Sequence, residues 1–300
     1  MTTVAFIGLG IMGRPMAVNL ARAGFDVAGF NRSPAAVEVL RQAGGRGAAS
    51  ISEAVHGAEI VATMLPDSPD VQAVMLGQAG VFDAAVPGTL VIDFSTIRPD
   101  VAQELSAQAG QRGLRMLDAP VSGGEQGAID GSLSIMVGGA AADFAAASEV
   151  LRAVGTTIAH LGPAGAGQTV KAANQLVVAG TIGLLAEAIV FLEAHGIDPG
   201  TALPVLAGGL AGSTVLDRKA ATMVRRQFMP GFRAELHHKD LGIVMAAARA
   251  VGVTIPLGAL VAQLMGALNA RGDGRLDHSA LLRVIEDLSG RATPGSGGEE

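Results

Sequence analysis

Lysine is scarce in this chain: Lys171, Lys219 and Lys239 stand against eighteen arginines. Arginine stays protonated near neutral pH, whereas a lysine with a lowered pKa can exchange a proton. Positions that keep lysine are therefore candidates for acid–base work. Lys219 sits in the charged stretch Asp217-Arg218-Lys219 and reads as solvated. Lys171 is placed differently. It follows Gly165-Ala166-Gly167-Gln168-Thr169-Val170 at the head of a long apolar run, with Asn174 and Gln175 three and four residues on. At that spacing the three share one helical face. Burial in an apolar helix would lower the lysine pKa and make it a usable general acid or base. Asn174 could orient the lysine or a substrate. The competing reading is a lysine that snorkels from a helix start. Its scarcity and the preceding glycines favour the catalytic one.

A second set of residues fits a phosphate-bearing ligand. Gly8-Leu9-Gly10-Ile11-Met12-Gly13 is a GxGxxG run that follows an apolar strand and opens a helix. Gly8 would allow a tight turn, Gly10 would let backbone approach a pyrophosphate, and Gly13 would let helix pack closely on strand. The phosphates would sit on the helix N-terminus. The next strand ends in Asn31-Arg32-Ser33, where an NAD-preferring site usually carries an acid for the ribose hydroxyls. Arg32 can instead pair with a 2′-phosphate, and Ser33 can donate to it, so NADP(H) is favoured over NAD(H). Met64-Leu65-Pro66 and Ser95-Thr96 also follow apolar strands, where an open parallel sheet binds its ligands. Asp118-Ala119-Pro120-Val121-Ser122-Gly123-Gly124 does too. Its hydroxyl and two unshielded N–H groups make a cradle for a carboxylate or oxyanion.

Composition removes other chemistries. With no cysteine and no tyrosine, disulfides, thiolate zinc sites, cysteine nucleophiles and tyrosine proton donors are all excluded. No metal site is expected. Net charge is −6 with no block of like charges, which argues against a nucleic-acid partner. The first seven residues carry no charged region, so no signal peptide is expected, and a cytoplasmic location is.

The elements that must position these groups follow from pattern. Strands are expected at 4–7, 26–30, 60–64, 90–94 and 115–117, with another at 134–137. Helices are expected at 12–23, 34–43, 71–76, 99–111 and 141–153. Such alternation implies βαβ units and a mostly parallel sheet. After a glycine-rich break at 163–167, residues 168–194 hold no strong breaker and would form a helix about 40 Å long. Residues 176–192 are apolar enough to compete as a membrane span. Glu187 within them and Asn174-Gln175 before them make that costly, so a buried core helix with no membrane is preferred. Beyond Gly196 the pattern is helical. A dinucleotide-binding domain is expected at 1–162, an all-helical domain at 163–291, and a disordered tail at 292–300.

Taken together, the 6–13 run with Met16, the 118–124 run, the 165–174 run and His238-Lys239-Asp240 resemble the β-hydroxyacid dehydrogenase family over nearly the whole chain. The resemblance implies an α/β Rossmann-type parallel sheet domain followed by an all-helical C-terminal domain, joined by a long shared helix. It implies a homodimer or homotetramer built through the helical domain, and a small carboxylate-bearing semialdehyde or hydroxyacid as substrate. It implies Lys171 as general acid/base, Ser122, Gly123 and Gly124 on the substrate carboxylate, Asn174 on substrate, Thr96 near substrate and nicotinamide, and Lys239 near the cofactor. Many members carry a second Asn where this chain has Gln175. The 208–216, 230–232 and 277–280 segments resemble the tartronate semialdehyde reductase branch, with 3-hydroxyisobutyrate dehydrogenase as rival. Two other readings are a dehydrogenase using His160 or His238 as base, and a dinucleotide-sensing scaffold without catalysis. The presence of both Lys171 and Asn174 argues against the scaffold.

Overall fold

A computed structural model of the chain describes residues 1–291; the tail expected at 292–300 lies outside the described residues. The chain divides into two compact units, Met1–Lys171 and the remainder from Ala172.

The first unit alternates strand and helix: β1 (Thr3–Ile7), α1 (Gly13–Arg22), β2 (Asp26–Phe30), α2 (Pro34–Gln42), β3 (Arg46–Gly47), α3 (Ile51–Val55), β4 (Ile60–Thr63), α4 (Ser68–Leu76), α5 (Val81–Ala84), β5 (Leu90–Asp93), α6 (Pro99–Gln111) and β6 (Arg115–Asp118). It closes with β7 (Val121–Ser122), α7 (Gly124–Ile129), β8 (Leu133–Gly138), α8 (Ala141–Ala146), α9 (Ser148–Val154) and β9 (Gly155–Gly162). Six strands run parallel in the order β3-β2-β1-β4-β5-β6, the dinucleotide-binding order, and β8 continues the sheet antiparallel to β6. Successive residues of β1 serve opposite faces. Val4 and Phe6 pack in one cluster with Met16 and Leu20 of α1, and Ala5 and Ile7 in another with Val71 and Leu105. A sheet covered on both faces needs this continuous apolar run.

Besides the short elements β3, α3, α5 and α7, which the pattern did not lead one to expect, three further details depart from the expected elements. The expected helix at 141–153 is two helices that meet at Ala147, where ψ falls to −8°. The segment Gly155–Gly162 is a strand, parallel to β8, that exposes most of its residues; its glycine-flanked, weakly apolar pattern hides it. Ser122 lies in a two-residue strand paired antiparallel with β8 rather than in a simple turn. Gly123 then turns the chain into α7 at φ +138°, a value that favours glycine.

Among the described residues, the second unit is helical apart from one isolated bridge between Arg233 and Asp277. Helix α10 (Ala166–Ala194) begins in the first unit and continues into the second, followed by α11 (Pro199–Ala207), α12 (Thr214–Val224), α13 (Ala234–Ala250), α14 (Pro256–Ala270) and α15 (Leu281–Leu288), with 3₁₀ turns at Asp273–Arg275 and His278–Ala280. By length and composition α10 could cross a membrane. Ala179, Ile182, Ala186 and Ile189, at helical spacing, are instead buried in the cluster that holds Met265, Leu268 and Leu281.

Lys219 is not merely solvated. Its Nζ lies 2.9 and 2.8 Å from the two carboxylate oxygens of buried Asp277. Asp277 also accepts from the N–H groups of Gly231, Phe232 and Ser279, and from the Ser279 hydroxyl. Burial pushes this carboxyl up, but His278, Lys219 and Ser279 outweigh it and hold its pKa at about 2. A depressed folded-state pKa gives stability that is present above the unfolded value and lost as pH falls through the folded one. Asp277 should therefore contribute about 2 kcal/mol that disappears between about pH 4 and about pH 2. Urea unfolding at several pH values should show a shallower acid loss in Asp277→Asn than in wild type. Parallel curves would remove the assignment.

Candidate active site

The glycine loop is shaped by three separate requirements. Gly8 has φ +98°, and a Cβ there would also strike the Met64 carbonyl. A Cβ on Gly13 would collide with the Gly8 carbonyl, so α1 packs directly on the loop. Gly10 differs: an added Cβ would meet nothing within 4 Å. Its backbone faces open space, as an approaching pyrophosphate requires. No side chain caps the start of α1 and no acid lies in its first turn, which leaves its positive end to an anion. These features fit a dinucleotide. Ile11 and Met12 complete the loop, while Leu9 is buried and its N–H donates to Asn31 Oδ1 at 3.0 Å. Asn31 Nδ2 donates to the Ser33 carbonyl at 3.1 Å, so this amide braces the turn after β2 against the loop. Arg32 and Ser33 are exposed there.

At the strand ends, Thr63, Asp93 and Asp118 lie side by side in register. The Thr63 hydroxyl and the Ser95 N–H donate to Asp93 Oδ1 at 2.7 and 3.1 Å. Asp93 Oδ2 has no partner among the described residues, and burial pushes the carboxyl pKa up. Ser95 Oγ accepts from the Leu65 N–H at 2.8 Å, which ties the Met64-Leu65-Pro66 loop to the loop bearing Thr96.

Asp118 fixes the start of α10. Its oxygens accept from the Gly165 and Gln168 N–H groups at 2.8 and 2.9 Å. Burial raises its pKa, opposed by these backbone bonds. Gly138 and Gly167 keep the contact close, since a Cβ on either would strike this carboxylate or neighbouring backbone. Gln168 is 1 % exposed and Lys171, one turn on, only 6 %. The Gln168 carboxamide joins α10 to the Ser95–Ile97 backbone on both sides of Thr96. Ser122, Gly123 and Gly124 are half-buried beyond β6. Asp118 and Gln168 were not singled out for these roles by sequence. Each acts across the fold, and no local spacing marks it.

In the second unit, Asn174 Nδ2 donates to Gln175 Oε1 at 2.8 Å, and Gln175 Nε2 donates to Asp240 Oδ2 at 2.5 Å. Lys239 Nζ lies 2.8 Å from the other Asp240 oxygen. Gln175 thus braces Asn174. His237 Nε2 lies 3.1 Å from the Gln175 carbonyl and must donate, because a carbonyl only accepts. Its Nδ1 is 2.9 Å from His278 Nδ1. The Ser213 hydroxyl accepts from the Leu216 N–H at 3.1 Å and caps α12. Of the rival bases, His160 stacks on Phe144 and bonds the Gly139 carbonyl at 2.8 Å, and His238 is exposed.

Comparison with known proteins adds an independent line. Residues 3–162 match the NAD binding domain of 6-phosphogluconate dehydrogenase, and residues 165–285 match the NAD-binding domain of NADP-dependent 3-hydroxyisobutyrate dehydrogenase. The chain is 40% identical over 286 residues to 2-hydroxy-3-oxopropionate reductase of Escherichia coli, covering 94% of this chain and 97% of that one. It is 37% identical over 298 residues to NAD-dependent L-serine dehydrogenase of Pseudomonas aeruginosa, covering 97% and 100%. A solved structure of 3-hydroxyisobutyrate dehydrogenase from Mycobacterium tuberculosis with L-serine superposes with a TM-score of 0.87 at 38% identity, covering 95% and 99%.

Proposed function

The chain belongs to the β-hydroxyacid dehydrogenase family of NAD(P)-dependent enzymes, and from that premise we propose that it reduces tartronate semialdehyde (2-hydroxy-3-oxopropionate) to glycerate, with NADPH as the preferred reductant. The observation that carries the chemistry is a buried lysine at the head of α10, beside an amide one turn on. The likeness to a reductase of this substrate supports the choice within the family.

The dinucleotide, when bound, supplies hydride. The chain holds its phosphates with the 8–13 loop and the start of α1, its adenosine side with Asn31, Arg32 and Ser33, and its nicotinamide side with Met64, Leu65, Pro66 and Thr96, with Lys239 nearby. Ser122 and the N–H groups of Gly123 and Gly124 bind the substrate carboxylate. Asn174 orients the substrate. Lys171 would hold the proton that the substrate's carbonyl oxygen takes up on reduction, and recover one from solvent afterwards. Position and a timed proton are the protein's part. Turnover of tartronate semialdehyde by the purified protein with NADPH is the direct test, and no turnover rejects the reading.

The cofactor preference rests on the absence of an acid after β2. Arg32→Ala should lower kcat/KM for NADPH by about tenfold or more, the worth of a charge-assisted hydrogen bond, and leave NADH within about twofold. A wild-type preference for NADH would refute it. A homodimer or homotetramer is supported by Val177, Leu184 and Phe191. They recur every seven residues along α10 and are 67%, 68% and 63% exposed, an apolar stripe a lone chain would leave in water.

A further inference from the structure

Gln168 carries no chemistry of its own, yet its carboxamide makes two bonds that few side chains could make together. Oε1 accepts from the Ile97 N–H at 3.0 Å, and Nε2 donates to the Ser95 carbonyl at 2.8 Å. These are the backbone groups on either side of Thr96, just past the end of β5, where strand pairing no longer orders the chain. The amide replaces the missing neighbour strand, as one peptide unit would. A carboxylate only accepts and an ammonium only donates, so neither serves both groups. Gln168 is itself immobilised, because its own N–H donates to Asp118 Oδ2 at 2.9 Å.

We infer that Gln168 is a positioning residue that fixes the Thr96 loop relative to Lys171, three residues further along α10. This rests on the roles proposed above for Lys171 and Thr96. A buried amide that merely satisfied loop backbone would also give these bonds. The two cases differ in what is lost on replacement. A positioning residue loses kcat, and loses it only while Lys171 is present.

The test uses Gln168→Met, of similar length but with no donor or strong acceptor, in wild type and in Lys171→Ala, with tartronate semialdehyde and NADPH. Displacing aligned groups by about 1 Å costs on the order of a hundredfold, so kcat should fall about 10- to 100-fold with KM for NADPH within about twofold. In the Lys171→Ala background the same change should cost less than about threefold, since groups that act as a unit are not additive. An equal loss in both backgrounds, or kcat above about a third of wild type in the single variant, would overturn the inference. Should the methionine variant not fold by circular dichroism, Gln168→Glu carries the same cycle; if neither folds, the role is structural and the inference fails. Lys171→Ala with near wild-type turnover would instead remove the reading beneath it, whatever Gln168 does.

Discussion

Replacing Lys171 with arginine should lower kcat by roughly two to four orders of magnitude, the usual range for losing a general acid, with little change in NADPH binding. The residue is 6 % exposed, which is not how a snorkelling lysine sits. Arginine would keep the positive charge and much of the length, so a lysine needed only for its charge would tolerate the change. A lysine that must release a proton and take one back would not, because guanidinium stays protonated. Alanine removes charge and proton together and should fall in the same range. The comparison that decides is Lys171→Arg against Lys171→Ala at saturating NADPH. Turnover above about a tenth of wild type in the arginine variant rejects proton transfer by this residue.

Part of this site could be read from the chain because some of its constraints are local. Gly8, Gly10 and Gly13 sit where a positive φ, an open approach and a helix–backbone contact are each needed, and all three fall within six residues. The lysine, amide and amide at 171, 174 and 175 are likewise fixed by helical spacing alone. The groups that hold these pieces in place are a different matter. Asp118 reaches 47 and 50 residues along the chain to the start of α10, and Gln168 reaches back 71 and 73 residues to the Thr96 loop. Lys219 looked solvated because its partner, Asp277, is 58 residues away. Nothing in local periodicity encodes such pairs. The exposed strand Gly155–Gly162 was hidden for another reason. An edge strand has little apolar face to bury, so its pattern is weak.

Tartronate semialdehyde should be reduced with a higher kcat/KM than methylmalonate semialdehyde. Both carry a carboxylate and a reacting aldehyde on one skeleton and differ at C2, which bears hydroxyl in the first and methyl in the second. A pocket that merely tolerates either group discriminates by roughly 10- to 200-fold. A pocket that hydrogen-bonds the hydroxyl can reject the methyl compound by about 10⁴, because its polar atoms would then be buried unpaired. Asn174 is equipped for the second case. Its Nδ2 donates to Gln175, which Asp240 holds in turn, and this leaves Oδ1 to accept, as the proposed contact with a hydroxyl requires. Gln175, held by Asp240, in this way braces the amide of its neighbour. Asn174→Ala should therefore cost the hydroxylated substrate more than the methylated one and shrink the ratio between them. If the wild-type enzyme prefers the methyl compound, the chain acts as a 3-hydroxyisobutyrate dehydrogenase, and the fold and the proton role of Lys171 stand unchanged.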